Sequence, residues 1–261
     1  MATVFADTTV LADLMFAPPE EQDALRKGLA VHCVWTTRYV IQELRCTFLR
    51  DAVVLHDLVV DSDTTEIALR RLTRRYLSER RLRRVHAVLA LVSERTGSYL
   101  GREAVLDRLE ALIEFGLMAE LLAPVDPDGI TDETGCVRGE PEPQWRGNRF
   151  DFECRGSKRQ PTGCRIEEFH QKHTDELGKL AQGPDGLDAV HKHLRETAAA
   201  VLEDARQGRG TNCYRVLADC IIAMSAPPEA AVCSTNATDF CPICEALGKE
   251  FVDARPGRQS G

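Results

Sequence analysis

No run in this chain approaches the roughly 18 apolar residues that a membrane-spanning helix requires, so no membrane partner is expected. A basic, apolar export leader is lacking too: acidic Asp7 and Asp13 stand where such a signal is positive and then hydrophobic. The expectation is a cytoplasmic protein. Positive charge is in deficit, with 33 Lys and Arg against 41 Asp and Glu and a net charge of −8. This argues against a protein that is basic overall, though not against a nucleic-acid enzyme whose cations are concentrated in one place. There is no internal repeat, and no low-complexity tract before the polar tail that starts at Asp253. The paired C-x-x-C sets of a compact zinc site are missing. Cys241-Pro242-Ile243-Cys244 stands alone and reads as packing beside Phe240.

What is present is the material of a globular protein. The 261 residues are 43% hydrophobic and 28% charged, enough to bury a sizeable core in one large domain or two small ones. With no sign of export, the 10 cysteines are expected as reduced thiols or metal ligands rather than disulfides.

Residues 3 to 6, Thr-Val-Phe-Ala, read as a short strand that delivers Asp7; Thr8 or Thr9 then caps a helix carrying Leu11, Leu14 and Met15. Asp7 itself has two readings at that junction, a helix N-cap or a metal ligand. Ala30 to Trp35 form a second strand, and Thr36 or Thr37 opens a helix whose apolar stripe is Val40, Ile41, Leu44 and Phe48, with Glu43 beside it. Near the other end, Leu217, Ile221 and Met224 repeat at helical spacing around Asp219, and Pro227-Pro228 ends that helix. The apolar run Ala230 to Val232 reads as a buried strand, after which Ser234, Thr235 and Asn236 turn the chain so that Asp239 lies just beyond the strand's carboxyl end. Ligands of open α/β sheets collect at that edge.

The middle of the chain differs in composition. Arg70, Arg71, Arg74, Arg75, Arg80, Arg81, Arg83 and Arg84 interleave with leucines, as in a basic amphipathic helix. Arg suits phosphate because its fork donates two hydrogen bonds at once; a solvated face answering the acidic remainder is the other reading. Helices are expected at 85 to 94 and from Arg102 to Phe115, followed by a hairpin pairing Leu117 to Leu122 with Phe150, Phe152 and Cys154. Two helices and a hairpin weakly resemble a winged-helix module. Cys136, Cys154, Cys164 and His170 are the candidate ligands of a structural zinc ion, although buried free cysteines and ordinary histidines explain them as well. Residues 175 to 207 read as helix again.

Four short pieces together carry a resemblance: Val4-Phe5-Ala6-Asp7-Thr8-Thr9, Val40-Ile41-Gln42-Glu43-Leu44, the Asp219 helix, and Thr235-Asn236-Ala237-Thr238-Asp239-Phe240. In order and context they resemble the PIN-domain nucleases, over roughly the first and last sixty residues. The resemblance implies an α/β/α sandwich around a mainly parallel sheet. Residues 1–61 and 201–252 would form its halves, 62–200 a largely helical insert and 253–261 a flexible tail. It implies that Asp7, Glu43, Asp219 and Asp239 bind one or two Mg²⁺ or Mn²⁺ ions and hydrolyse phosphodiester bonds, with Thr8, Thr235 and Asn236 supporting them. Hard oxygen donors select such ions, and a divalent cation removes the mutual repulsion of gathered carboxylates. RNA is the implied polymer, with Arg70, Arg71, Arg74, Arg75, Arg81 and Arg84 as the candidate backbone contacts. Many PIN proteins are toxins of toxin–antitoxin pairs and many dimerise, which implies an antitoxin or defence-system protein partner and a homodimer. The alternative is a nucleic-acid-binding regulator or partner-binding scaffold of the same fold without turnover.

Overall fold

Strand β1, Ala2–Ala6, goes from exposed to fully buried along its length, and its last residues, Val4, Phe5 and Ala6, lie at the centre of the core. The computed structural model describes residues 1–75, 79–94, 101–116, 122–137, 142–152, 163–183 and 189–255. On one side β1 pairs in parallel with β2, His32–Thr37, which pairs with the two-residue β3, Ile130–Thr131. A small hairpin of β4, Gln144–Arg146, and β5, Arg149–Asp151, stands apart as its own ribbon. On the other side β1 pairs with β6, Ala230–Ser234, which pairs with β7, Phe251–Asp253. The result is an α/β protein with a five-stranded, all-parallel sheet of order β3-β2-β1-β6-β7. Central strands buried on both sides read as continuous apolar runs, and all five residues of β6 are buried.

Helix α1 spans Thr8–Phe16, α2 Pro19–Leu29, α3 Arg38–Val60, α4 Thr65–Arg75, α5 Glu79–Glu94 and α6 Arg102–Ala111. The 23-residue α3 is about 35 Å long at 1.5 Å per residue, and α1, α4, α5 and α6 all pack against it. Thr37 opens it, the hydroxyl accepting from the Tyr39 amide at 3.4 Å. The later helices are α7, Ile166–Lys172, α8, Thr174–Ala181, α9, Ala189–Glu203, α10, Ala218–Ser225, and α11, Ala237–Leu247. Here α8 packs on α9 and α11, and α10 on α11. Among the described residues no helix is long and apolar enough to cross a membrane.

Several expectations change. The span 62–200 shares one hydrophobic core with the terminal segments, Val85, Leu109, Phe169 and Leu177 joining Val4 and Val232 in the same cluster, and it supplies β3 to the central sheet. The Arg-rich run is divided between α4 and α5. Phe150 pairs with Trp145 across the tight Gly147-Asn148 turn; of the Leu117–Leu122 segment expected to pair with it, 117–121 lie outside the described residues. The tail expected from Asp253 begins inside β7, whose register with β6 runs from Val232↔Phe251 to Ser234↔Asp253. Cys46 is disulfide-bonded, against the expectation of reduced thiols, while Cys220, Cys233 and Cys244 carry free thiols.

Candidate functional site

Because the five strands are parallel, the carboxyl ends of β1, β2 and β6 lie along one edge. The chain leaves β1 toward β2 on one side, and β6 and β7 return on the other. The β1–β6 boundary is therefore the topological switch point, where the loops diverge and leave a crevice. Asp7 follows β1 directly and Ser234 closes β6. The Asp7 amide donates to the Cys233 carbonyl at 3.0 Å, so the two strand ends are fastened together at this place.

Asp7 is 1% exposed. Its Oδ1 accepts from the Val10 amide at 3.0 Å and from the Thr9 hydroxyl at 2.9 Å. Oδ2 accepts from the Ser234 hydroxyl at 3.1 Å. Asp7 thus caps α1, in the place expected for Thr8 or Thr9, and Thr9 buttresses the cap. Most N-caps face water; this one does not. Burial pushes its carboxyl up from 3.8 to about 6, outweighing the hydrogen bonds from Val10, Thr9 and Ser234, which act in the opposite direction.

A polar network extends from Asp7. The Thr235 amide donates to Thr9 Oγ1 at 3.2 Å, and the Thr235 hydroxyl stands 2.8 Å from both Thr9 Oγ1 and Asp13 Oδ2. The Asn236 amide donates to Ser234 Oγ at 2.9 Å, and the Asn236 side chain donates to Asp239 Oδ2 at 2.6 Å. Asp239 is half-buried in the first turn of α11, where the helix dipole favours a negative charge. On the β2 side, the Thr8 hydroxyl donates to Glu43 Oε2 at 2.6 Å, so the half-buried Glu43 of α3 is tied to the residue after Asp7. Asp219 is half-buried in the first turn of α10. That helix leads into the amino end of β6, so its own first turn lies toward the carboxyl edge. The Tyr39 hydroxyl, donating to the Cys213 carbonyl at 2.8 Å, links the start of α3 to the approach to α10.

The structure thus ties each supporting residue foreseen in the sequence to an acid, Thr8 to Glu43, Asn236 to Asp239 and Thr235 to Asp13. Thr9, Ser234 and Asp13 are polar members that the sequence reading left out. The signal for them was present, since two of the three are hydroxyl residues directly flanking a strand end. The carboxylates of Asp7, Glu43, Asp219 and Asp239 offer hard oxygens, the kind of ligand atom that Mg²⁺ or Mn²⁺ takes. Among the described residues, however, no three His, Cys, Asp or Glu converge as a ready ligand group. That statement covers Cys136, Cys164 and His170 as well; Cys154 lies outside the described residues. His170 is 1% exposed, and its ring packs so closely on Gly208 that a Cβ there would meet Cε1 at 2.0 Å.

Of the arginines, Arg70 and Arg74 are exposed. Arg71 donates to the Asp61 carbonyl and to Ser62 Oγ, at 3.2 Å for the latter. Arg84 is paired with Asp51 at 2.7 Å. The side chains of Arg75 and Arg81 lie outside those described.

Replacing Thr8 by Val removes the hydrogen bond to Glu43 while keeping the side chain's shape. A group that only orients a functional carboxylate costs about 10- to 100-fold when lost. The expected outcome is a turnover rate about tenfold lower with an unchanged melting temperature; equal rates in steady-state assays would show that Thr8 does not position Glu43 for chemistry. The chain was compared with protein-family models, with curated proteins and with solved structures, and none matches.

Proposed function

We propose that this chain is a metal-dependent nuclease with a PIN-like α/β/α fold, hydrolysing phosphodiester bonds, with RNA as its polymer. The observation that carries the reading is Asp7: a carboxylate 1% exposed, at the switch point of a parallel sheet, with its carboxyl pushed up to about 6. A protein that wanted only a cap would place it in water, where no desolvation is suffered. Glu43, Asp219 and Asp239 at the same edge supply the further oxygen donors.

A divalent ion bound there would supply the charge that lowers the pKa of water and neutralises the phosphate oxygens. The chain's own groups do the rest. Asp7, Asp219 and Asp239, the last oriented by Asn236, would hold the ion. Glu43, fixed by Thr8, orients the attacking water and accepts its proton. Thr9 and Ser234 hold the Asp7 carboxylate in place. The exposed arginines of α4 contact the polymer backbone. The role of a toxin or defence effector, with an antitoxin-like partner, rests on the family resemblance alone.

A second reading has its own support. Both Asp7 oxygens already have protein donors, which suits a PIN-like scaffold that binds nucleic acid or a partner without cutting it. The deciding experiment incubates a mixed RNA pool and a matched single-stranded DNA pool with the protein in Mn²⁺, Mg²⁺ or EDTA, beside Asp219→Asn. The nuclease reading expects cleavage that needs the metal and is lost in the variant. Tight, salt-sensitive binding without cleavage in any condition would leave the scaffold.

A further inference from the structure

Next to the acidic edge is a cavity of about 160 Å³ whose wall is largely apolar, from residues such as Phe16, Phe48 and Val88, with Thr47, Asp51 and Arg84 as a polar side and Glu43 nearby. At about 30 Å³ per water-sized group it has room for roughly five such groups, the heavy-atom count of one phosphate. Its most unusual member is Asp51, whose side chain is 2% exposed. An isolated carboxylate at such depth is costly, and Arg84 Nε, donating to Oδ2 at 2.7 Å, offsets its charge. That bond uses only Nε. The terminal Nη1 and Nη2 of Arg84 make no hydrogen bond or ion pair among the described residues, although the side chain is 32% exposed. A guanidinium anchored through Nε leaves its two terminal nitrogens as a fixed fork, the geometry that matches phosphate oxygens. The Thr47 hydroxyl on the same wall adds a donor of the right kind, while those of Thr8 and Thr9 are already given to Glu43 and Asp7. Arg70 and Arg74, exposed on α4, have no such anchor.

We propose that this cavity receives a backbone phosphate of the nucleic-acid substrate, the one flanking the bond at the acidic edge. Arg84 is the binding residue and Asp51 the anchor that presents it. The proposal rests on the nuclease reading above. Glu43 in the same wall opposes the anion, so binding in the absence of divalent cations is weaker than the fork alone would give. The cavity also joins α3 and α5, both from the Asp51–Arg84 pair, to the strand edge that carries Asp7, which ties substrate placement to the chemistry.

The test uses the full chain and a short, end-labelled, mixed-sequence RNA in EDTA, with affinity read by fluorescence anisotropy across a range of salt concentrations. Arg84→Gln is expected to weaken binding about tenfold, the worth of one charge-assisted hydrogen bond. It should also make the slope of log K against log salt shallower by about 0.7, one phosphate contact on a single strand. Arg84→Lys keeps the charge that neutralises Asp51 and should lose affinity about threefold with the slope intact, because the fork is gone. Glu43→Gln should tighten binding. If Arg84→Gln shifts only the melting temperature and leaves affinity and slope native, Arg84 merely neutralises Asp51 and the proposal falls. Should that variant not fold, native affinity in Arg84→Lys has the same consequence. If the native protein neither binds nor cuts RNA or DNA, the nuclease reading fails and this one with it. Cleavage by the native protein together with native binding by Arg84→Gln overturns this inference alone.

Discussion

Asp7→Asn should abolish activity and stabilise the protein at the same time. The activity loss is at least about 10²–10³-fold, since the change removes a charge the reaction needs at the centre of the site rather than one of its supports. The gain in stability follows from linkage. The Asp7 carboxyl is raised from 3.8 to about 6 in the folded chain by burial, so the folded state binds this proton more tightly than the unfolded state does. The group is neutral in both states below the unfolded value. As pH rises through the window from about 4 to 6, stability is lost, and above 6 the loss is complete, about 3 kcal/mol at 1.36 kcal/mol per pKa unit. Asparagine carries no charge to bury. Its oxygen still accepts from the Val10 amide, and its NH₂ meets the Ser234 hydroxyl, which reverses its role. Urea unfolding at pH 7.5 in EDTA should therefore show Asp7→Asn more stable by about 1–3 kcal/mol, the lower end allowing for imperfect re-pairing. A variant less stable than the native chain would mean that Asp7 is a structural cap and not a strained functional group.

The same experiment extended to acid exposes a second buried group. His170 is 1% exposed, and neither ring nitrogen has a well-formed hydrogen bond among the described residues. Burial, with a smaller contribution from neighbouring His173, lowers it from 6.5 to about 4, although the nearby Ala205 backbone acts the other way. Its sign is opposite to that of Asp7. The folded chain rejects this proton, so the stability present above 6.5 is lost as pH falls toward 4, by about 2–3 kcal/mol at pH 4.5. Over the same interval Asp7 regains about 2 kcal/mol on protonation. The native chain should accordingly change little between pH 7.5 and 4.5, because two large effects oppose each other. Asp7→Asn should reveal the His170 loss in full, and His170→Gln should gain stability on acidification. Parallel pH profiles for the native chain and His170→Gln would show that His170 titrates normally.

The parts of the site that were legible from the sequence are those encoded locally. Asp7 is announced by the strand before it, Glu43 by the apolar stripe beside it, and Asp239 by the Thr235-Asn236 turn. Asp7 follows its strand and Glu43 lies on its helix as expected, with Thr8 bonded to it; Asp239, expected in the turn after β6, falls in the first turn of α11, where Asn236 bonds it. What escaped was set by tertiary pairing. Ile130–Thr131 becomes a strand only because β2 offers Thr36 and Thr37 as partners, and two residues carry no periodicity of their own. Phe251–Asp253 reads as the start of a polar tail until β6 pairs with it. The Arg-rich stretch has the composition of a solvated or phosphate-binding face. The buried position of Asp51, which turns Arg84 inward, is a fact of packing between α3 and α5 that spacing along either helix does not contain. Ser234 and Thr9 were hidden in another way: their hydroxyls matter only because β1 and β6 are neighbours, and 227 residues separate Ser234 from Asp7.

That separation has a consequence during synthesis. At about 5–20 residues per second, the ribosome takes on the order of 10–45 s to travel from β1 to β6. For all of that time the Asp7 carboxylate has neither Ser234 nor the Cys233 carbonyl beside its amide, Asp219 is added only near the end of it, and Asp239 does not yet exist. On the nuclease reading proposed above, an acid that takes its place only beside β6 waits for that strand to be made before it can act.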